Sequence, residues 1–357
     1  MKSPHLLELR LQNQSISGTG CGQPAEAVAR LGALQAQDYP SALWAIGLRT
    51  QDATEVAIER AIQERSIVRT WLLRGTLHFV AAADLRWMLS LLRPRLLAGS
   101  RGRQQQLGLD ETTFQAARQV LTQALQGGRT LQRDELFARL EAAALSTAGQ
   151  RGYHILWQLA VEGLLCFGAR RGRQFTFALL DEWLPSTKTL EHDQALAELA
   201  RRYFTGHGPA TLQDFGWWSG LNGTQAKTGL ELAGAALEKE TIAGQPYWFS
   251  GHSSAAAELS PAAHLLPAFD EYIVGYRDRT AVLDAYQTKQ AISSNGIFHP
   301  ALVIDGRVAG TWKKAVKAGA LAVTPNLFAP LTAGEEHAFQ AEAARYAAFL
   351  GVSLEAD

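Results

Sequence analysis

Apolar residues along the chain change repeatedly between helical and strand spacing, and the changes follow a recurring order. From Thr130 to Leu180, two stretches with helical spacing precede two short apolar runs. Thr130 can cap the first helix, and Gly163 is expected to end the second. The two runs flank a turn at 170–173 and predict a hairpin. Two helices and a basic hairpin are the plan of a winged helix.

The same order is predicted twice more. After Thr211, a helix over Leu212–Leu221 and a second one capped by Asn222 precede a hairpin that turns at 243–245. Near the N-terminus the predicted elements are helices over Pro24–Leu34 and Glu55–Arg65 and strands over Ile67–Leu73 and Thr76–Val80. The three units share no obvious sequence identity, so this repeat rests on pattern alone.

Other elements connect and follow these units. Helices are predicted over Leu85–Leu97 and Leu109–Leu125, with a turn at 101–104 between them. After His264, strand spacing dominates, Asp305-Gly306 is a strong hairpin signal, and Ala338–Leu350 predicts a closing helix. We therefore expect an α+β fold of about three tandem winged helix-turn-helix units and a C-terminal β-rich portion. The expected domains are 1–84, a helical connector 85–128, 129–190, 191–258 and 259–357.

Charge modifies this picture through its placement. Lysine plus arginine equals aspartate plus glutamate at 34 each, so the net charge of zero attracts no partner overall. Cations nevertheless cluster on three predicted turns or hairpins, which favours a local DNA-binding face. The alternative is that each cluster is a solvated surface. The clustered residues are Arg86, Arg93, Arg95, Arg101 and Arg103; Arg170, Arg171 and Arg173; and Arg307, Lys313, Lys314 and Lys317.

Cysteine usage and hydropathy limit the class of protein. Cys21 and Cys166 each stand alone, which excludes a disulfide scaffold and a multi-cysteine metal site. The N-terminal segment lacks the apolar run of a signal peptide, and no stretch could span a bilayer. We expect a cytoplasmic monomer with no membrane partner, no cofactor and no metal.

Familiar catalytic motifs are absent from the sequence. It has no Walker phosphate loop, no nucleophile elbow and no zinc-protease helix, and its histidines lack metal-ligand spacing. Asp270, Glu271 and Asp278 could supply carboxylates. Because adjacent residues of a strand point to opposite faces, Asp270 and Glu271 are not expected to cooperate.

Two glutamines stand at an unusual place, where an apolar helix is expected to end. Pro40 disfavours a helical conformation at Tyr39, so Gln35-Ala36-Gln37 can be extended, with both carboxamides on one face. The alternative is that they cap the helix or satisfy backbone groups.

Four segments together resemble the AlkZ-like DNA glycosylases over nearly the whole chain. They are Leu34 to Gln37, Arg69 to His78, Leu266 to Tyr272 and Val303 to Trp312. That family is named for resistance to the DNA crosslinker azinomycin B, and its tandem winged helices surround a concave DNA-binding channel. It carries a catalytic Gln-apolar-Gln motif, which Gln35-Ala36-Gln37 follows, whereas the related YcaQ type has Gln-apolar-Asp.

The resemblance implies a monofunctional glycosylase that removes bulky N7-alkylated purines from double-stranded DNA. It makes Gln35 and Gln37 the catalytic residues, with Gln37 placing a water and Gln35 orienting it or supporting developing charge. Arg74 and His78 could face the channel, and Trp312 could stack near the lesion. His78 and Trp312 could equally be core residues. Two rival functions stay open: a non-catalytic DNA-binding regulator and a protein-interaction scaffold.

Overall fold

Helices and short paired strands alternate along the chain, and the predicted α+β fold is confirmed in this computed structural model, which describes residues 3–185, 188–251 and 261–355. The chain divides into two compact units, one made of 1–60 with 196–357 and the other of 61–195. The segment 1–84, expected as one unit, therefore contributes to both. The expected boundary between 258 and 259 lies outside the described residues.

The first unit begins with three helices, a two-residue strand and the start of a fourth helix. These elements are α1 (Ser3–Asn13), α2 (Pro24–Leu31), β1 (Leu34–Gln35), α3 (Tyr39–Leu48) and α4 (Glu55–Gln63). Helix α3 is not predicted from the sequence. Ala42 through Leu48 are all buried, so the helix has no polar face, and its apolar residues show no helical spacing.

The second unit consists of 61–195. Its elements are β2 (Ile67–Leu72), β3 (Thr76–Ala81), α5 (Leu85–Gln106), α6 (Glu111–Leu125), β4 (Leu131–Gln132), α7 (Arg133–Ala142), α8 (Arg151–Val161), β5 (Leu165–Phe167), β6 (Thr176–Leu179) and α9 (Leu180–Trp183). Strands β2 and β3 form an antiparallel hairpin with Ile67 opposite Ala81. Strand β6 pairs with β4 on one side and β5 on the other, so the hairpin after α8 is part of a three-stranded sheet.

Two local predictions for this unit are wrong. The turn at 101–104 does not exist, because α5 continues without a break through Gly102. The last turn of α5 is held by buried Gln104, whose amide donates to Oε1 of Gln158 on α8 at 2.7 Å. This contact can offset the cost of Gly102, because one interior glycine destabilises a helix by only about 1 kcal/mol. Thr130 does not cap α7, because β4 intervenes and Gln132 forms a capping box with Glu135.

The rest of the first unit begins within α10 (His192–Gly206) and carries the largest sheet. Its elements are α10, α11 (Leu212–Ser219), α12 (Gly223–Ala233), β7 (Glu238–Ile242), β8 (Gln245–Phe249), β9 (Ala263–Leu266), α13 (Glu271–Val274), α14 (Ala285–Ala291), β10 (Ala301–Ile304), β11 (Arg307–Lys317), β12 (Ala320–Leu327), α15 (Ala333–Leu350) and β13 (Ser353–Leu354). The five strands from β9 to β13 form one sheet in the order β13-β12-β11-β10-β9.

Several local signals in this part are confirmed. Asn222 caps α12 by accepting the Gln225 N–H at 2.8 Å. Asp305 and Gly306 have positive φ values of 47° and 81°, as a two-residue hairpin turn between β10 and β11 requires. Among the described residues, no helix is long and apolar enough to cross a membrane.

An aromatic cluster fixes α3 against the large sheet and α15. Trp44 lies 4.7 Å from Tyr346 and 5.0 Å from Phe349, measured between ring centroids, and its indole N–H donates to the Leu265 carbonyl at 2.6 Å. Trp312 is 4% exposed and donates its indole N–H to the Leu266 carbonyl at 2.9 Å. Of the two interpretations of Trp312, the structure therefore supports the core residue over a ring that stacks near the lesion.

Candidate active site

The Gln35-Ala36-Gln37 segment lies in the connection between α2 and α3. Gln35 belongs to β1, which confirms its extended backbone, and Gln37 lies in a bend just before α3. Asp38 caps α3 by accepting the Ser41 N–H at 2.9 Å. The prediction that Pro40 keeps Tyr39 out of a helix is wrong, because α3 begins at Tyr39 with proline in its first turn, where a missing N–H costs nothing.

The two glutamines differ in exposure. Gln35 is 8% exposed, whereas Gln37 is exposed. Gly32, the residue that ends α2, has a φ of +79°, which favours glycine. A Cβ at this position would lie 3.3 Å from the Trp218 ring, so the backbone passes close to that indole. One residue of the motif is thus buried in the protein, and the other is exposed at the surface.

A buried carboxylate holds the backbone of the motif. Glu271, the first residue of α13, is 1% exposed and accepts the Gln35 backbone N–H on Oε1 at 3.0 Å. Its Oε2 accepts the Trp218 indole N–H at 3.0 Å and lies 3.3 Å from Nε2 of His207. Because backbone and indole N–H groups only donate, they match an acceptor-only carboxylate.

The neighbouring Asp270 binds the other side of the motif's connection. Arg49, which follows α3, donates to both oxygens of Asp270 at 2.7 and 2.8 Å, and both side chains are fully buried. Arg49 also donates to Oε1 of Gln14 at 2.9 Å and to the Ala45 carbonyl at 2.9 Å. Such a bidentate buried pair has the geometry in which charge-assisted hydrogen bonds are strongest.

Buried tyrosines complete this network as hydrogen-bond donors. Tyr276 donates its hydroxyl to the His207 carbonyl at 2.6 Å and accepts the Gln14 amide N–H at 3.0 Å. Burial raises the pKa of Tyr276 to about 12, and burial also raises the pKa of Tyr203, whose ring stacks on His207 at 4.6 Å. Both phenols are therefore neutral at physiological pH and do not act as bases.

The second unit holds most of the residues predicted to contact DNA. Arg74 is half-buried in the β2–β3 turn, whereas His78 on β3 is fully buried with Nδ1 2.9 Å from the Thr76 carbonyl. This burial favours the interpretation of His78 as a core residue. Exposed cations lie along α5 and in the turn between β5 and β6; they are Arg93, Arg95, Arg101, Arg103, Arg171 and Arg173.

Some of these cations are already engaged within the second unit. Arg103 donates to Oε1 of Gln150 at 2.7 Å, Arg171 donates to the Thr130 carbonyl at 3.0 Å, and half-buried Arg170 lies over the Phe175 ring at 5.6 Å. Arg86 is half-buried and donates to Asp181 at 2.8 Å, which leaves it less suited to bind phosphate.

The first unit presents four further predicted cations, Arg307, Lys313, Lys314 and Lys317, on β11. All four residues are exposed at the surface of this strand. The Lys314 ammonium contacts the Tyr346 hydroxyl, and partial burial lowers its pKa. Lys314 is therefore the least suited of the four to bind an external anion.

Glu271 belongs to the site, although the sequence does not predict it there. The strand prediction for Asp270 and Glu271 is wrong, because Asp270 is an N-cap that accepts the Tyr272 N–H at 2.9 Å and Glu271 begins a helix. Aspartate followed by glutamate is a helix-start signal that could have identified this turn. The partnership with Gln35, however, spans 236 residues of sequence and has no local signal.

Comparisons with known proteins agree on one family. The model of the family described as DNA glycosylase AlkZ-like matches residues 28–349. An interstrand DNA cross-link repair glycosylase of Streptomyces sahachiroi is 29% identical over 96% of this chain and 95% of that protein. The solved structure of the Streptomyces sahachiroi DNA glycosylase AlkZ superposes with a TM-score of 0.80 at 25% identity, covering 99% of each chain.

Proposed function

The chain belongs to the AlkZ-like DNA glycosylase family, and we propose that it hydrolyses the N-glycosidic bond of N7-alkylated purines in duplex DNA with Gln35 and Gln37 at the reacting centre. The observation that carries this proposal is the pairing of a buried, backbone-anchored Gln35 with an exposed Gln37 in one connection. This arrangement combines one residue with an anchored backbone and one residue at the surface, where a nucleotide would bind.

Two neutral amides suit a cationic lesion. Alkylation at N7 makes the purine positively charged, so the base leaves as a neutral molecule and needs little help from a general acid. The remaining demand is to stabilise positive charge on the sugar and to place a water on its open face. A glutamine carbonyl oxygen can meet both needs without the cost of a buried unpaired carboxylate.

The exposure of the two glutamines supports a division of roles. Gln37 is open to solvent and positions the attacking water, while buried Gln35 orients that water or supports the charge developing on the sugar. The Streptomyces relative is named for interstrand cross-link repair. A crosslink attached through guanine N7 presents the same cationic bond, so we extend the proposal to such crosslinks.

The proposed function predicts that cationic N7-alkylated bases are released and that neutral damaged bases are not. Duplexes with a single N7-methylguanine or a bulkier N7 adduct should yield abasic sites, measured as strand breaks after alkaline treatment on denaturing gels. A duplex with neutral 8-oxoguanine should stay intact, because its base would require protonation by an acid. Borohydride should trap no protein–DNA adduct, since hydrolysis forms no Schiff base. Equal release of the neutral base, or a trapped adduct, would contradict the proposal.

DNA binding is proposed to use winged helices that line a concave channel. The supporting observations are the order α7, α8 and the β5–β6 hairpin with β4 paired to β6, and the order α11, α12 and the β7–β8 hairpin. Exposed arginines on α5 supply charge for phosphates. The rival function as a non-catalytic regulator is not favoured, because the family and both relatives are glycosylases.

The proposed channel makes a prediction about salt dependence. Arg101 is exposed and, within the described part of the chain, forms no hydrogen bond or ion pair, so it is available to phosphate. Arg101→Ala should weaken binding to random duplex DNA and reduce the slope of log affinity against log salt by about 0.9, the effect of one lost phosphate contact. Fluorescence anisotropy across a salt series measures both quantities.

Arg201→Ala is the matched control for this prediction. Arg201 donates to Glu198 at 2.7 and 2.8 Å, so its charge is already balanced by a carboxylate. Its replacement should leave the slope unchanged. If the slope of Arg101→Ala equals that of the wild type, this arginine does not bind phosphate.

A further inference from the structure

Two adjacent carboxylates hold the chain on both sides of the Gln35-Ala36-Gln37 segment. Glu271 accepts the backbone N–H of Gln35 in the strand that precedes the bend, and Asp270 binds Arg49 after the helix that follows it. Both carboxylates belong to one turn, because Asp270 caps α13 and Glu271 begins it. The short α13 therefore connects the entry and the exit of the segment.

The segment is short and mostly irregular. Strand β1 is a two-residue edge strand of a three-stranded sheet, and Gln37 lies in a bend just before α3. A catalytic group must be held to within a fraction of an ångström, and a displacement of 1 Å can reduce a rate by about a hundredfold. The hydrogen bond to Glu271 is thus well placed to fix the backbone at Gln35.

Glu271 is itself held rigidly. Trp218 donates its indole N–H to Oε2 at 3.0 Å, and Nε2 of His207 lies 3.3 Å from the same oxygen. Both rings pack against the ring of Tyr203. With this support, Oε1 is directed at Gln35. A hydrogen bond from a backbone amide to a carboxylate is about twice as strong as one between neutral groups.

We propose that Glu271 is a positioning residue for DNA glycosylase activity, which sets the backbone at Gln35 and thereby the placement of both catalytic amides. Glu271 is buried and touches neither DNA nor the attacking water in this assignment. The inference rests on the proposed roles of Gln35 and Gln37. It adds to them that the rate of bond cleavage depends on a carboxylate remote in sequence, while DNA affinity does not.

The test replaces Glu271 with its isosteric amide. In Glu271→Gln the NH2 group must face either Gln35 N–H or Trp218 N–H, and two donors repel, so at least one bond is lost. The single-turnover rate of N7-methylguanine release should fall between about tenfold and a hundredfold. The Kd for the same duplex, measured by anisotropy, should stay within twofold of the wild-type value. Hydrogen exchange at residues 34–37 should accelerate.

Glu342→Gln is the matched control, because Glu342 is another buried glutamate of the same unit and contacts Leu265 N–H and Arg345 instead of the motif. In Glu342→Gln, the rate of N7-methylguanine release and the hydrogen exchange at residues 34–37 should equal those of the wild type. Circular dichroism checks that each variant folds. If Glu271→Gln does not fold, Trp218→Phe takes its place, since it removes one support of the carboxylate and keeps the Gln35 bond. A loss of about threefold or more in rate with unchanged Kd is then expected.

The outcomes separate this inference from the proposed function. A folded Glu271→Gln, or in its place Trp218→Phe, with wild-type rate and exchange overturns the inference. Equal loss of rate in Glu342→Gln also overturns it, because the effect would then follow from any buried glutamate. Gln37→Ala, measured beside them, reports on the proposed function alone: if it retains full activity, the catalytic assignment fails whatever Glu271 does.

Discussion

Gln37→Ala is expected to reduce the single-turnover rate of N7-methylguanine release by about 10²- to 10³-fold, which is the usual effect of removing one group that acts in the transition state. Gln37 is exposed, and in the proposed mechanism its carboxamide oxygen accepts a hydrogen bond from the attacking water. Without it, water reaches the sugar from many orientations, and the advantage of a positioned nucleophile is lost. The duplex Kd should change little, because this interaction forms mainly as the bond breaks.

Companion variants distinguish the roles of the two amides. Gln37→Glu keeps an acceptor oxygen and should retain more activity than Gln37→Ala. Gln35→Ala should also slow release, and the double alanine variant should lose little beyond the slower single variant, because residues that act as a unit are not additive. Gln115→Ala, an exposed glutamine on α6, is the control and should have the wild-type rate. Full release by the double alanine variant would refute the catalytic assignment.

Arg49→Met is expected to reduce the free energy of unfolding by about 3–5 kcal/mol, the range for breaking one side of a buried ion pair. Arg49 and Asp270 are fully buried, and the substitution leaves the Asp270 carboxylate without its bidentate partner in the protein interior. It also removes the donor to Gln14. Urea denaturation followed by tryptophan fluorescence measures the change.

Two comparisons calibrate this prediction. Arg133→Met breaks an ion pair with Asp134 in which both side chains are well exposed, and it should change the stability by less than about 1 kcal/mol. Arg49→Met with Asp270→Asn should be more stable than Arg49→Met alone, because the isolated charge is gone. If Arg49→Met costs no more than the exposed pair, then Asp270 does not depend on Arg49 for its burial.

Much of the local structure could be predicted because its signals are local. The Asp305-Gly306 turn needs only two residues that tolerate positive φ, and the Asn222 cap needs only a side chain beside a free N–H. Prediction failed where tertiary contacts outweigh propensity. Helix α5 continues through Gly102 because Gln104 is bonded to another helix, and α3 lacks a period because it is buried on every side.

The sequence by itself determined the α+β class, most hairpins and helices, and the Gln35-Ala36-Gln37 segment through its resemblance to a glycosylase family. Only the tertiary structure decided that Gln35 is buried while Gln37 is exposed, that Trp312 is core, and that Glu271 and Asp270 hold the segment from more than 220 residues away. The physical reason is range. Spacing, caps and turns act over a few residues, whereas burial and the partners of a buried charge depend on which distant segments pack together.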